Sequence, residues 1–94
     1  MSNAEDFYNK LREQLQDTTT WPSEYLYKFI VPSDQNKIML VQHIFDNLGA
    51  VIKTKQSKNG KYTSISIHVL MKSADDVINK YKEVSKKVDG VISL

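Results

Sequence analysis

From Tyr62 to Met71 the chain alternates without interruption, with Ile65, Ile67, Val69 and Met71 on one side and Tyr62, Ser64, Ser66 and His68 on the other. A segment of this period belongs in a sheet that is buried on one face and wet, or used, on the other. Asn59-Gly60 stands just before it, and Asn-Gly is the strongest short signal for a two-residue hairpin turn. Residues 50–57 are therefore expected to pair antiparallel with 62–71 across Lys58-Asn59-Gly60-Lys61. That turn would be type I′, with Gly60 at positive φ.

Glu24 to Val31 carries the same alternation, placing Tyr25, Tyr27, Phe29 and Val31 on one side and Leu26, Lys28 and Ile30 on the other. Pro32-Ser33-Asp34 offers a polar N-cap. Ile38, Val41, Ile44, Phe45 and Leu48 then recur at helical spacing until Gly49 supplies a stop. Ser73-Ala74-Asp75-Asp76 is a capping box with Asp in place of Glu, and it opens a second stripe of Val77, Ile78, Tyr81, Val84 and Val88 that ends at Asp89-Gly90. Val91–Leu94 suits a closing strand.

The order is β-α-β-β-α-β, so the expected class is α+β: a ferredoxin-like fold with a four-stranded antiparallel sheet and two helices on one face. A short amphipathic helix precedes it over residues 5–17, with Phe7, Tyr8, Leu11 and Leu15 on one side, and Thr18-Thr19-Thr20-Trp21-Pro22 breaks it. The chain thus divides into residues 1–20 and a domain over 21–94. The first part holds a tag remnant, Ser2-Asn3-Ala4, together with the helix and its linker. Helices cover only one face, which leaves Leu26, Ile30 and Leu70 on the other. The Phe7, Leu11 and Leu15 stripe, or a second chain, is expected to bury them.

Composition narrows the function classes. A chain of 94 residues builds one core. The absence of cysteine removes disulfide scaffolds, thiolate metal sites and cysteine nucleophiles. A net charge of +2 is too weak a bias to imply nucleic acid or an anionic membrane by itself. No apolar run approaches the ~20 residues of a membrane span, and the N-terminal residues lack a secretory pattern, so the expectation is a cytoplasmic protein with no membrane partner.

Ser57-Lys58-Asn59-Gly60-Lys61-Tyr62-Thr63-Ser64-Ile65-Ser66-Ile67, taken with Tyr27-Lys28-Phe29-Ile30 and Val91-Ile92-Ser93-Leu94, resembles the YbeD-like family of small bacterial proteins of unknown function. The likeness runs from about Trp21 to the C-terminus, and its most specific element is the Ser-x-x-Gly-x-Tyr-x-Ser run from Ser57 to Ser64. The resemblance implies a ferredoxin-like fold similar to the ACT domains that bind amino acids, hence a regulatory or binding role with a small-molecule effector and no activity. One departure is the loop after the first strand. ACT-type sites lean on a glycine there, whereas this chain has Val31-Pro32-Ser33-Asp34. Acylphosphatases share the plan but hold phosphate with an arginine in that loop, and the chain's sole arginine is Arg12.

No catalytic or cofactor set emerges from the remaining residues. His43 and His68 are the only histidines and have no neighbours at ligand spacing. Asp75-Asp76 is explained by a helix N-terminus. The candidate binding face is Lys28, Lys53, Lys55, Lys58, Lys61, Tyr62, Ser64, Ser66 and His68. It suggests a non-catalytic module acting through its open sheet or by self-association with a protein or a second copy. The alternative is weak binding of single-stranded RNA by the lysine-rich hairpin with Tyr62, although RNA-binding sheets stack bases on at least two aromatics. Lysines along a hairpin also guard a sheet edge against aggregation.

Overall fold

In the computed structural model, which describes residues 3–94, the alternating segments form the two central strands of a sheet. The elements run α1 (Asn3–Thr18), β1 (Ser23–Pro32), α2 (Gln35–Ile44), a 3-10 turn (Asp46–Leu48), β2 (Val51–Gln56), β3 (Tyr62–Met71), α3 (Ala74–Lys87) and β4 (Ile92–Ser93). Of the expected tag remnant, Ser2 lies outside the described residues and Asn3 opens α1. The strand order is β2-β3-β1-β4, and every neighbouring pair is antiparallel. In each β-α-β unit a third strand is inserted between the two that the helix connects, which is the split β-α-β arrangement.

The predicted inward positions form the core. Tyr27, Phe29, Val31, Ile65 and Ile67 are fully buried beneath Val41 and Phe45 on one side and Val77, Ile78 and Val84 on the other. Aromatic edges and faces fill its centre, with Tyr27 4.9 Å from Phe45 and 4.8 Å from Tyr81 between ring centroids. Each buried hydroxyl finds a partner, as the interior requires. Tyr27 donates to the Val77 carbonyl at 2.9 Å, Tyr25 and Tyr81 share a bond of 2.8 Å, and Thr63 bonds Ser33 at 2.9 Å. Burial pushes the Tyr27 and Tyr81 hydroxyls well above the ordinary tyrosine range.

Helix starts follow the predicted chemistry. The Asp34 carboxylate accepts from Asn36 N–H at 2.8 Å, and Ser73 Oγ accepts from Asp76 N–H at 3.1 Å. The first predicted helix ends early, however. α2 stops at Ile44, and Phe45 tips into the core ahead of the 3-10 turn, leaving Leu48 exposed before Gly49 turns at φ 69°. The expected closing strand shrinks to Ile92–Ser93.

The hairpin differs from expectation as well. Ser57 N–H donates to the Tyr62 carbonyl at 2.7 Å and Gly60 N–H to the Ser57 carbonyl at 2.9 Å, so the loop has four residues built on a turn at Ser57–Gly60. Gly60 alone has positive φ (73°), and Asn59 does not, which excludes type I′. The Asn59 carboxamide oxygen instead accepts from Ser57 Oγ and Lys61 N–H, both at 3.0 Å, and this local bonding favours the longer loop.

The largest correction concerns α1. Its Leu11 and Leu15 pack on the core from the helical side, against α3, and Phe7 is largely exposed. Charge directs the docking. Arg12 Nε lies 2.7 Å from Asp75 Oδ1, Lys82 reaches Glu5, and the Lys82 ammonium sits 5.5 Å from the Tyr8 ring centre. The N-terminal helix therefore leaves the second face of the sheet uncovered.

Candidate functional site

Strand register assembles that face row by row. Val51, His68 and Leu26 stand side by side across three strands; Lys53, Ser66 and Lys28 form the next row; Lys55, Ser64, Ile30 and Ile92 form the third. Glu24 opposes Leu70 at one end and Pro32 opposes Tyr62 at the other. Leu94 joins the second row, since its N–H donates to the Lys28 carbonyl at 2.9 Å. Leu26, Val51, Leu70, Ile92 and Leu94 are each more than half exposed, so the rows make an apolar surface and not scattered residues.

The face carries two shallow concavities. One, of about 420 Å³, gathers Lys53, Ser66 and His68 between Val51, Leu70 and Glu24. The other, of about 370 Å³, gathers Lys55, Lys58, Tyr62 and Ser64 beside Ile30. Both volumes sit at the low end for small-molecule sites, and both open onto the sheet, so they suit side chains of a partner better than an enclosed metabolite. Lys28 stands between the two, opposite Ser66. Lys61 lines neither concavity; it lies in the loop, where its carbonyl accepts from Ser33 N–H at 2.9 Å.

The electrostatics are one-sided. Glu24 is the one acid on a strand, and the other ten lie on the helices or the turns and loops at their ends. Lys28, Lys53, Lys55, Lys58 and Lys61 form no ion pair among the described residues, whereas Arg12, Lys80, Lys82 and Lys87 on the helices all do. A modest net charge thus conceals a basic sheet, with five lysines against Glu24, and a helical layer in which acids outnumber bases by two. Two strand spacings put Lys28 and Lys53 about 10 Å apart, where like charges repel by about 0.4 kcal/mol in water. Such a cost is easily borne by one sheet and is recovered by any anion that lies between them.

His68 makes no hydrogen bond to Ser66 or Ser64 among the described residues, and its cross-strand neighbours are the aliphatic Val51 and Leu26. The Ser64 hydroxyl donates to the Lys55 carbonyl at 3.3 Å. His43 lies on the helical side, with Nδ1 3.2 Å from Asp46 Oδ2. No three His, Asp or Glu residues among those described converge as a metal site would require. No described helix is long and apolar enough to cross a membrane.

Glu24, Val51, Ile92 and Leu94 complete the face and were not among the predicted site residues. The signal for Val51 and Ile92 is weak because β2 and β4 are too short and polar to show which side faces inward. It becomes visible only once β3 and β1 fix their register.

Neither the curated proteins nor the solved structures include a significant match to the chain. One family of proteins of unknown function, DUF493, matches residues 16–92, which takes in β1 to β3, α2, α3 and the first residue of β4 and leaves out most of α1. The chain belongs to that DUF493 family.

Proposed function

We propose that the chain is a non-catalytic binding module with an ACT-like regulatory role in the bacterial cytoplasm, and that it acts through the open face of its sheet. The observation that carries this reading is the contiguity of exposed aliphatic residues with lysines that form no ion pair among the described residues. A solvated sheet tolerates either feature singly, but the two together make an interaction surface. The YbeD-like resemblance supports the regulatory part. A second reading, weak single-stranded RNA binding, draws on Lys55, Lys58 and Tyr62 around one concavity.

Affinity capture from a bacterial extract tests the proposal. The immobilised chain is compared with a Leu26→Asp/Leu70→Asp variant and with Lys86→Asp, a control on the helical side. The expected result is a retained species that the face variant loses and the control keeps. Equal retention by all three would overturn the reading. So would saturable turnover of a metabolite that His68→Ala abolishes, because the face would then be catalytic.

A further inference from the structure

We infer that the open face takes an acidic amphipathic helix of a protein partner, with aliphatic residues against Leu26, Ile30 and Ile92 and carboxylates toward Lys28, Lys53 and Lys55. This rests on the proposal that the open face is the binding surface, and it specifies the chemistry of the occupant.

Shape limits what fits. Four strands span three spacings of about 4.8 Å, a width of about 14 Å, which accommodates one helix of about 10–12 Å diameter lying along the strands. From Glu24 to Ile30 the central strand runs about 20 Å, so a helix of about 14–16 residues covers it. The residues are also unevenly distributed. Leu26, Val51 and Leu70 make one end of the face aliphatic, and across the second and third rows Lys53 and Lys55 line β2, Ile92 and Leu94 line β4, and Lys28 and Ile30 stand between them on β1. A helix with an aliphatic stripe over that end and over β4, and an acidic flank toward β2 and Lys28, matches this distribution.

Charge disfavours the nearest competitor. A second copy stacked on this face would set the three lysines of one sheet against the three of the other, with only Glu24 on each to oppose them. RNA fits the lysines but not the rest of the surface. Tyr62 is the one aromatic among the open-face positions of the strands, and the remaining exposed area is aliphatic, which offers bases little to stack on.

A selection experiment tests the inference without knowledge of the natural partner. A displayed library of random peptides about 16 residues long is selected on the native chain and, separately, on Lys28→Glu/Lys53→Glu, whose substitutions lie at exposed positions and leave the core intact. The native chain is expected to enrich net-acidic peptides with aliphatic residues at helical spacing. The charge-swapped chain should enrich basic ones; an acidic winner should bind the swapped chain at least tenfold more weakly than the native chain, and its binding to the native chain should fall with added salt.

Enrichment of neutral or basic peptides by the native chain, or of no sequence class at all, overturns the inference. Tighter binding of an oligouridine than of the selected peptides overturns it in favour of RNA. Dimerisation seen by light scattering and abolished by Leu26→Asp assigns the face to a second copy, which overturns the acidic helix while leaving the open face as the binding surface. Acidic peptides that bind unchanged to Leu26→Asp/Leu70→Asp place the contact elsewhere, and both proposals then fail.

Discussion

Phe45→Ala tests the joint that sets the helices over the sheet. The ring is fully buried, lies 4.9 Å from Tyr27 and 6.3 Å from Phe29 between centroids, and has the Lys80 ammonium 5.8 Å from its centre. Truncation removes the transfer energy of the ring and leaves a cavity whose walls are held by β1, which cannot collapse without disturbing its pairing with β3. Core Phe→Ala changes cost about 3–5 kcal/mol. The Lys80 flank moderates this, because Lys80 is partly exposed and can admit water as its ammonium shifts from the Ile44 carbonyl, now 2.8 Å away. The expected loss is therefore in the lower part of that range, about 3 kcal/mol.

Ile67→Ala has no such flank. It is fully buried in β3 between Tyr27 and Ile52 and should cost about 2–5 kcal/mol. Urea denaturation followed by circular dichroism measures both, and a loss of about 3 kcal/mol lowers Tm by roughly 12 °C or more in a domain of this size. Losses below about 1 kcal/mol at both positions would refute the assignment of the inward face.

Two further predictions concern the hairpin and the buried tyrosines. Gly60→Val should cost about 1–2 kcal/mol, because a side chain at φ 73° is strained although it meets no atom within 4 Å, and Gly60→Asn should cost less; equal melting of all three chains would mean that the loop relaxes out of the left-handed region. Raised hydroxyl pKa values at Tyr27 and Tyr81 keep both neutral in the folded chain, so stability is full below the ordinary tyrosine value of about 10 and falls as pH rises above it, where the unfolded chain alone ionises. Alkaline titration should therefore show part of the phenolate absorbance arising only as circular dichroism is lost, and complete ionisation in a chain that is still folded would contradict this.

The β-α-β-β-α-β order and the core were legible because β1 and β3 are long enough for alternation to name a buried face, and because Asp34 and Ser73 mark helix starts by a mechanism that needs nothing beyond local contacts. Two errors arose where local chemistry competes. Asn-Gly predicts type I′ in general, but here the Asn59 side chain binds Ser57 and Lys61 and stabilises a four-residue loop. A helical stripe running through Phe45 to Leu48 is satisfied equally by an α-helix or by an α-helix followed by a 3-10 turn, and periodicity does not separate them.

The placement of α1 was illegible for a different reason. An amphipathic helix carries an apolar stripe that fits any uncovered apolar surface, and by hydrophobicity alone Leu11 and Leu15 suit the open sheet as well as they suit α3. Charge breaks the tie. α1 begins with Glu5 and Asp6, and α3 presents Asp75 to Arg12 and Lys82 to Glu5, a complementary pairing of the two helices. The open face would have offered Glu5 and Asp6 its lysines too, but it has only Glu24 for Arg12 and Lys10. Counting charges along the chain hides this, because the net value of +2 sums an acidic helical layer and a basic sheet. Once the strands are in register the two layers separate, and the lysines set aside as guards of a hairpin edge become one side of a surface that a single acidic helix fits.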